Sequence, residues 1–402
     1  MLIVQKFGGS SVKDAERIRN AARIIAETFL LGHDVVVVLS AQGDTTDELL
    51  EKAAELNAKP SMRELDMLLT TGEQQSVALM AMCLESMDLP VTSLTSWQVG
   101  IRTDSAYGSA RIRRVRTERL RRELDQHRIV LVTGFQGVNK YDDFTTLGRG
   151  GSDTTAVALA AALHADRCQI YTDVEGVYTA DPRRVENAKK LAEITYDEML
   201  ELASMGAQVL MNRSVELAKR YGVELEVLSS YVRAPGTKVK EVIKRMEEMK
   251  ITGIAKDEKA ARITVVKIAD RPGTAFRVLS AVARAKVNVD MIIQTDGHDG
   301  TADMSFVVAD QDADRAAEAL EACRAAIGFE RVTVDKAVAK VSVVGAGMMS
   351  SMDVASLVFE ALNDAHVNIQ MISTSEIKIS CVIEQSAADR AVSAIHGKFF
   401  EN

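Results

Sequence analysis

Asp34-Val35-Val36-Val37-Val38-Leu39 is an apolar run behind a single acid, with no polar residue alternating through it. Such a run is the mark of a strand buried on both faces, as happens in a parallel sheet flanked by helices. Working outward, Leu2–Phe7 reads as a strand and 14–31 as a helix ahead of it. After it come a helix around 64–82, a strand at 91–94, a basic amphipathic helix near 109–126, and a strand at 129–133. The alternation resumes with a strand at 167–172, helices at 196–205 and 214–221, and a strand at 224–228. This is the grammar of an α/β domain with a mostly parallel sheet.

The chain has 402 residues, 47% of them hydrophobic, enough for two or three domains at about 150 residues each. A formal net charge of −8 excludes a general nucleic-acid or anionic-membrane binder, so any anionic substrate must be met by local cations such as Lys6 and Arg149. The cluster from Arg111 to Arg122, interleaved with Glu118 and Glu123, then reads as a solvated helix face. Four cysteines, Cys83, Cys168, Cys323 and Cys381, stand far apart with no metal-ligand spacing, which suits a reducing, cytoplasmic setting. No stretch approaches the roughly 20 apolar residues of a membrane span. The six histidines are isolated and read as surface or helix-end residues, and Trp97, Met80 and Met82 read as core or interface packing.

Beyond Pro235-Gly236 and a charge-dense stretch at 238–250, read as a solvated linking helix, the pattern changes. Val287-Asn288-Val289-Asp290-Met291-Ile292 recurs 80 residues later as Val367-Asn368-Ile369-Gln370-Met371-Ile372. The C-terminal part is therefore a tandem of one small α+β unit, suited to paired sensing modules.

Chemistry concentrates where predicted strands give way to helices. Leu147-Gly148-Arg149-Gly150-Gly151-Ser152-Asp153-Thr154-Thr155 leads into an alanine-rich helix whose first turn offers unpaired N–H groups to an anion. Lys6-Phe7-Gly8-Gly9-Ser10-Ser11 places glycines and a lysine after the first strand, and is neither a Walker A loop nor a dinucleotide fingerprint. Two glycine loops with cations at strand ends point to phosphoryl transfer by positioning and electrostatics. The segment 172–183 offers Asp173, Tyr178 and Arg183 to a nucleotide, although an ordinary proline turn would look the same. Glu73 suits a substrate ammonium, Arg149 its α-carboxylate, and Thr46 the reacting carboxylate. On residue type alone, capping is the simpler reading of Thr46 and exposed charge that of Glu73.

Taken in order, Lys6 to Val12, Ser40 to Asp47, Thr71-Gly72-Glu73, Leu147 to Thr155 and Thr172 to Arg183 resemble the aspartate kinase family, and the paired repeats resemble its ACT domains. The resemblance spans essentially the whole chain. It implies an amino-acid-kinase sandwich of a mostly parallel sheet and helices over 1–232, a linker at 233–250, and ferredoxin-like ACT domains at 251–335 and 336–402, with 251–258 able to complete the second. The implied reaction is ATP-dependent phosphorylation of the side-chain carboxylate of L-aspartate to 4-phospho-L-aspartate, the entry to lysine, threonine and methionine. Carried over by motif, Lys6 and Asp153 are catalytic; Lys6, Gly8, Gly9, Ser10, Thr172, Asp173, Tyr178 and Arg183 hold ATP; and Thr46, Glu73 and Arg149 hold aspartate. Mg²⁺ is expected to arrive with ATP rather than in a dedicated protein site.

Lysine or threonine is the implied effector, bound near Asp270, Gly273, Thr274, Ala275, Asn288, Val289, Asp290 and Gln294, with Asn368, Ile369, Ser375 and Glu376 facing them in a homo-oligomer joined through the ACT domains. Two positions depart from the family pattern. Gln208 stands where members commonly carry lysine, so that nucleotide contact is not carried over, and 347–353 lacks the proline–glycine turn that 272–273 keeps. Met246 or Met249 would allow an internal start for a separate regulatory chain. Another amino-acid or carboxylate kinase of the same fold, and an inactive amino-acid sensor, are the competing readings.

Overall fold

The computed structural model describes residues 1–204, 209–242, 251–297, 300–349 and 353–401. Gln208, Met246, Met249 and His298 lie outside the described residues, as do 350–352 and the end of the helix expected to reach 205. The chain divides into two compact units, the first holding 1–178, 190–204 and 209–242 of the described residues, the second 179–189 and 251–401.

In chain order the first unit comprises β1 (Leu2–Phe7), α1 (Ala15–Leu30), β2 (Asp34–Leu39), α2 (Thr45–Leu56), α3 (Met62–Glu85), β3 (Val91–Leu94), α4 (Ser96–Val99), β4 (Ile101–Thr103), β5 (Ile112–Val115), α5 (Glu118–Leu124) and β6 (Ile129–Thr133). It continues with β7 (Gln136–Val138), β8 (Phe144–Thr146), α6 (Gly151–Leu163), β9 (Arg167–Thr172), β10 (Glu193–Thr195), α7 (Tyr196–Ser204), α8 (Asn212–Tyr221), β11 (Leu225–Ser229) and β12 (Thr237–Lys240). Eight strands form the main sheet in the order β10-β12-β11-β9-β1-β2-β6-β3, parallel at every pairing except β11 with β12. Val35 to Leu39 are each 0% exposed, as their unbroken apolar pattern requires. Phe7 lies opposite Leu39 and Tyr171, and Leu39 opposite Thr133, so the carboxyl ends of the central strands finish together. Ligands of open α/β sheets bind at that edge.

A second, four-stranded sheet of order β5-β4-β7-β8 completes this unit and corrects the reading of 109–126 as one helix. Ile112–Val115 is instead an edge strand, and only Glu118–Leu124 is helical. The β-branched Ile112 and Val115 favour the strand, exposed Arg113 and Arg114 guard its edge, and Thr117 sits at the N-cap position of the helix. The linker is corrected as well. Lys238 and Lys240 alternate about a fully buried Val239 in β12, so part of the supposed linking helix is a strand of the main sheet. Residues 243–250 lie outside the described residues.

The second unit contains β13 (Gly253–Ala269), α9 (Thr274–Arg284), β14 (Asp290–Asp296), β15 (Thr301–Ala309), α10 (Ala313–Ala322), α11 (Arg324–Ile327), β16 (Arg331–Val344), α12 (Val354–Asp364), β17 (Ile369–Thr374), β18 (Lys378–Glu384) and α13 (Ala388–Phe400). Its antiparallel sheet runs β14-β15-β13-β16-β18-β17. Two cores follow the repeat: Ile263, Val278, Phe306 and Leu320 in the first, Val341, Leu362, Cys381 and Ile395 in the second. The long β13 serves both. Its residues 253–257 pair with 340–344, and Ile254 joins the second core, whereas Ile263 and Val265 belong to the first.

Residues 179–189 depart from the domain division drawn from sequence, because they pack within the second unit. Ala180 and Val185 enter its second core, and Thr179 Oγ1 lies 2.9 Å from His396 Nε2. His396 is thus 0% exposed, not a surface or helix-end residue; α13 turns its ring inward against Phe400, with ring centroids 4.7 Å apart. Trp97, by contrast, is 47% exposed and lies outside the core, with the Arg102 guanidinium 5.5 Å from its ring centroid.

Candidate active site

At the carboxyl edge of the main sheet, contacts link Lys6, Gly8, Gly9, Asp153 and, through Ala41, Glu73. Lys6, near the end of β1, holds Asp153 in the first turn of α6, with Nζ 2.7 Å from Oδ1 and side-chain exposures of 11% and 9%. The helix start favours a carboxylate there, so Asp153 is anchored by a lysine and by a helix dipole together. Gly8 lies beside the lysine: a Cβ on it would stand 3.3 Å from Lys6 Nζ. Gly9 accepts a hydrogen bond from Gly43 N at 3.1 Å, and a Cβ on Gly9 would fall 2.8 Å from Ala41 O. Only glycine lets these two loops touch.

Ala41 N in turn donates to Glu73 Oε1 at 3.1 Å. Glu73 is 3% exposed, its Oε2 has no hydrogen-bond partner among the described residues, and burial pushes its pKa up to about 8. The exposed-charge reading of Glu73 is therefore wrong. Its helix carries Leu69, Val77, Met80 and Leu84 along the same buried stripe, which draws the carboxylate inward. Thr46 is half-buried in the first turn of α2, where Asp44, not Thr46, occupies the N-cap position. Arg149 is exposed in the loop leading into α6 and forms no ion pair with the described residues. Among the described residues, Glu73 is thus a buried carboxyl group without a counter-charge and Arg149 an exposed guanidinium without an ion-pair partner.

On the other side of β1, the nucleotide candidates are tied to one another. Thr172 Oγ1 donates to Asp173 Oδ1 at 3.0 Å, and the Thr172 carbonyl accepts from Ser230 N at 2.8 Å. Ser11 Oγ donates to Ser230 Oγ at 2.9 Å, and Tyr231 OH to the carbonyl of exposed Ser10 at 3.0 Å. Tyr178 is half-buried, its pKa raised by burial and by Glu175. Arg183 belongs to the 179–189 segment of the second unit, and Asp181 engages it at 3.0 and 2.9 Å. Ser230 and Tyr231 escaped the sequence reading. Their signal was a run of hydroxyl side chains, Ser229-Ser230-Tyr231, at the end of the strand adjacent to β9.

No group of three or more metal-binding side chains occurs among the described residues, and no described helix is long and apolar enough to cross a membrane. Among the effector candidates, Gly273 adopts φ +91° at the start of α9, followed by Thr274 and Ala275, and Asp270 N donates to Gly300 O at 3.0 Å. Asn288 and Val289 lead into β14, which carries Asp290 and Gln294. Asp290 contacts buried Lys340; burial alone would raise its pKa, but the Lys340 hydrogen bond and charge bring it below the ordinary value. Asn368 and Ile369 lie at the start of β17, and Ser375 and Glu376 just after it. β14 and β17 are the two outer strands, so Asn288 to Gln294 and Asn368 to Glu376 border opposite edges of one chain's sheet, whereas 270–275 follow the central β13.

Two glycine loops and a lysine at the end of β1, beside a buried carboxyl group, suit a phosphotransferase for a small acceptor. Residues 1–229 match the amino acid kinase family, and 262–326 and 341–399 each match an ACT domain. An aspartokinase from Mycolicibacterium smegmatis is 52% identical over 403 residues, 99% of this chain and 96% of the relative, and one from Corynebacterium glutamicum 51% identical over the same shares. The crystal structure of E. coli aspartokinase III with aspartate and ADP superposes with a TM-score of 0.81 at 26% identity, covering 100% of both chains. Its form with lysine and aspartate gives 0.78 at 26% identity, covering 99% of each. The chain belongs to the aspartokinases, within the amino acid kinase family.

Proposed function

We propose that this chain transfers the γ-phosphoryl group of ATP to the side-chain carboxylate of L-aspartate, forming 4-phospho-L-aspartate and ADP. The observation that carries this reading is the Lys6–Asp153 pair at the junction of two glycine loops, with Glu73 of α3 buried beside them and without a counter-charge among the described residues. The acceptor carboxylate is already ionised at neutral pH, so the reaction needs no general base and the residues have only to position and neutralise. Lys6 stabilises charge as the phosphoryl group moves, and Asp153 holds the lysine in line. Gly8, Gly9 and Ser10 approach the phosphates, while Thr172, Asp173 and Tyr178 support the nucleoside. Arg149 grips the α-carboxylate of aspartate, Glu73 its ammonium, and Thr46 orients the reacting carboxylate. Mg²⁺, carried on the ATP phosphates, supplies further charge neutralisation.

Lysine or threonine acts as effector at the ACT modules. Because its candidate residues around β14 and around β17 border opposite edges of one sheet, a shared effector site would join two copies of the chain. All four cysteines are free thiols, in keeping with a cytoplasmic enzyme. The test is trapping of the acyl phosphate with hydroxylamine in the presence of ATP, Mg²⁺ and L-aspartate. Asp153→Asn should lose on the order of 100-fold in kcat while remaining folded. Undiminished turnover by that variant would refute the assignment.

A further inference from the structure

Asp66 has no place in the chemistry above, yet it is 0% exposed and pairs with no cation among the described residues. Its carboxylate is committed to the chain that carries Arg149. Oδ1 accepts from Gly108 N at 3.1 Å and Thr146 Oγ1 at 2.7 Å; Oδ2 accepts from Gly108 N and Thr146 N, both at 2.9 Å. Thr146 is the last residue of β8, three positions before Arg149. Gly108 also meets the loop from its carbonyl side, because a Cβ on Gly148, at φ +79°, would lie 3.2 Å from Gly108 O. Arg213, in the first turn of α8, closes the opposite side by donating to Leu147 O at 2.8 Å and Ala110 O at 2.7 Å.

Asp66 stands seven positions before Glu73 on α3, two turns earlier on the same buried stripe. A buried carboxylate costs several kcal/mol unless fully hydrogen-bonded, so its retention calls for a geometric return. Burial pushes the pKa of Asp66 up, and the bonds from Thr146 and Gly108 oppose that shift.

We infer that Asp66 is a positioning residue that locks the Arg149 loop to the helix bearing Glu73, fixing the spacing between the two groups that grip the amino-acid substrate. This rests on the roles assigned above to Glu73 and Arg149. Asp66→Asn, with its oxygen at the Oδ2 position, gives up the charge and the Gly108 N contact at Oδ1 and obliges the Thr146 hydroxyl to turn round and accept, loosening the lock without changing side-chain volume. Displacing one grip by ~1 Å is enough to cost 10-fold or more in productive binding.

The experiment uses the full-length enzyme and its Asp66→Asn and Thr146→Val variants; the second removes only the Oγ1 hydrogen bond and serves if the first fails to fold. Expected for Asp66→Asn is a rise of about tenfold or more in the KM for aspartate, with the KM for ATP within about twofold of wild type, and a smaller shift of the same kind for Thr146→Val. Arg149→Ala should add little once Asp66→Asn is present. Hydrogen exchange at amides 106–110 and 146–150 should quicken in the variant. Unchanged aspartate KM with unchanged exchange would overturn the inference, as would equal losses toward ATP and aspartate, which mark general structural damage. Absence of aspartate turnover by the wild type would instead refute the proposed function, and the exchange measurement would still decide whether Asp66 holds the loop.

Discussion

Raising the pH from 6 to 9 should tighten aspartate binding, because the group assigned to its ammonium is held protonated by burial. Glu73 has an ordinary carboxyl pKa of 4.5, and in the folded chain it is pushed up to about 8. At pH 7 only about one free enzyme molecule in ten carries the charged form, so apparent affinity falls about tenfold, or about 1.4 kcal/mol. The penalty grows to about 100-fold at pH 6 and vanishes above pH 9. The assay is the aspartate KM at saturating ATP, measured by coupled ADP release across that range. Wild type should improve by about tenfold from pH 6 to 7 and about fivefold from pH 7 to 8, then level off by pH 9, while the KM for ATP does not follow the same slope. Glu73→Gln keeps the acceptor for Ala41 N but cannot ionise, so its KM should be high and nearly independent of pH. A flat wild-type profile, or the same slope in Glu73→Gln, would show that Glu73 does not receive the ammonium as a carboxylate.

Two further outcomes follow from the geometry. Arg149→Lys should raise the KM for aspartate by about 10-fold or more, since an ammonium cannot reproduce a bidentate grip, and should leave thermal stability unchanged because the side chain is exposed and unpaired; a Lys variant with normal KM would remove Arg149 from the site. In the second unit, burial holds the His396 imidazole below its ordinary value of 6.5, against the opposing pull of Glu401. The unfolded chain then binds more protons just below pH 6.5, so this histidine's contribution to stability is present above that value and is lost as pH falls. His396→Gln should lower the melting temperature at pH 8 and flatten its dependence between pH 6.5 and 5, and an unaltered slope in calorimetry would contradict the assignment.

The glycine loops were legible in the sequence because their work is done by backbone: Gly8, Gly9 and the 147–155 run declare close approach and a helix start whatever surrounds them. Lys6 and Asp153 could be picked out for the same reason, being fixed by their distance from a strand end and a helix start. Glu73 could not be separated from a surface charge, since its meaning depends on Ala41 donating from another loop and on α3 turning that face inward. Asp66 left a faint trace, an acid on the buried stripe of a helix, but its partners Gly108 and Thr146 are 42 and 80 positions away. The Arg111–Arg122 stretch misled because arginines spaced irregularly suit a helix face or a strand edge, and sheet pairing decided between them.

Sequence by itself determined the α/β class, the tandem repeat and the glycine loops at the strand ends, because hydrophobic periodicity and glycine placement are local properties. Tertiary structure alone decided three things: that Glu73 is buried without a counter-charge among the described residues, that 179–189 packs with the second unit, and that the effector candidates around β14 and around β17 border opposite edges of one sheet. Each depends on which distant segments are brought together to exclude water or to share backbone hydrogen bonds. No local pattern in the chain encodes that pairing.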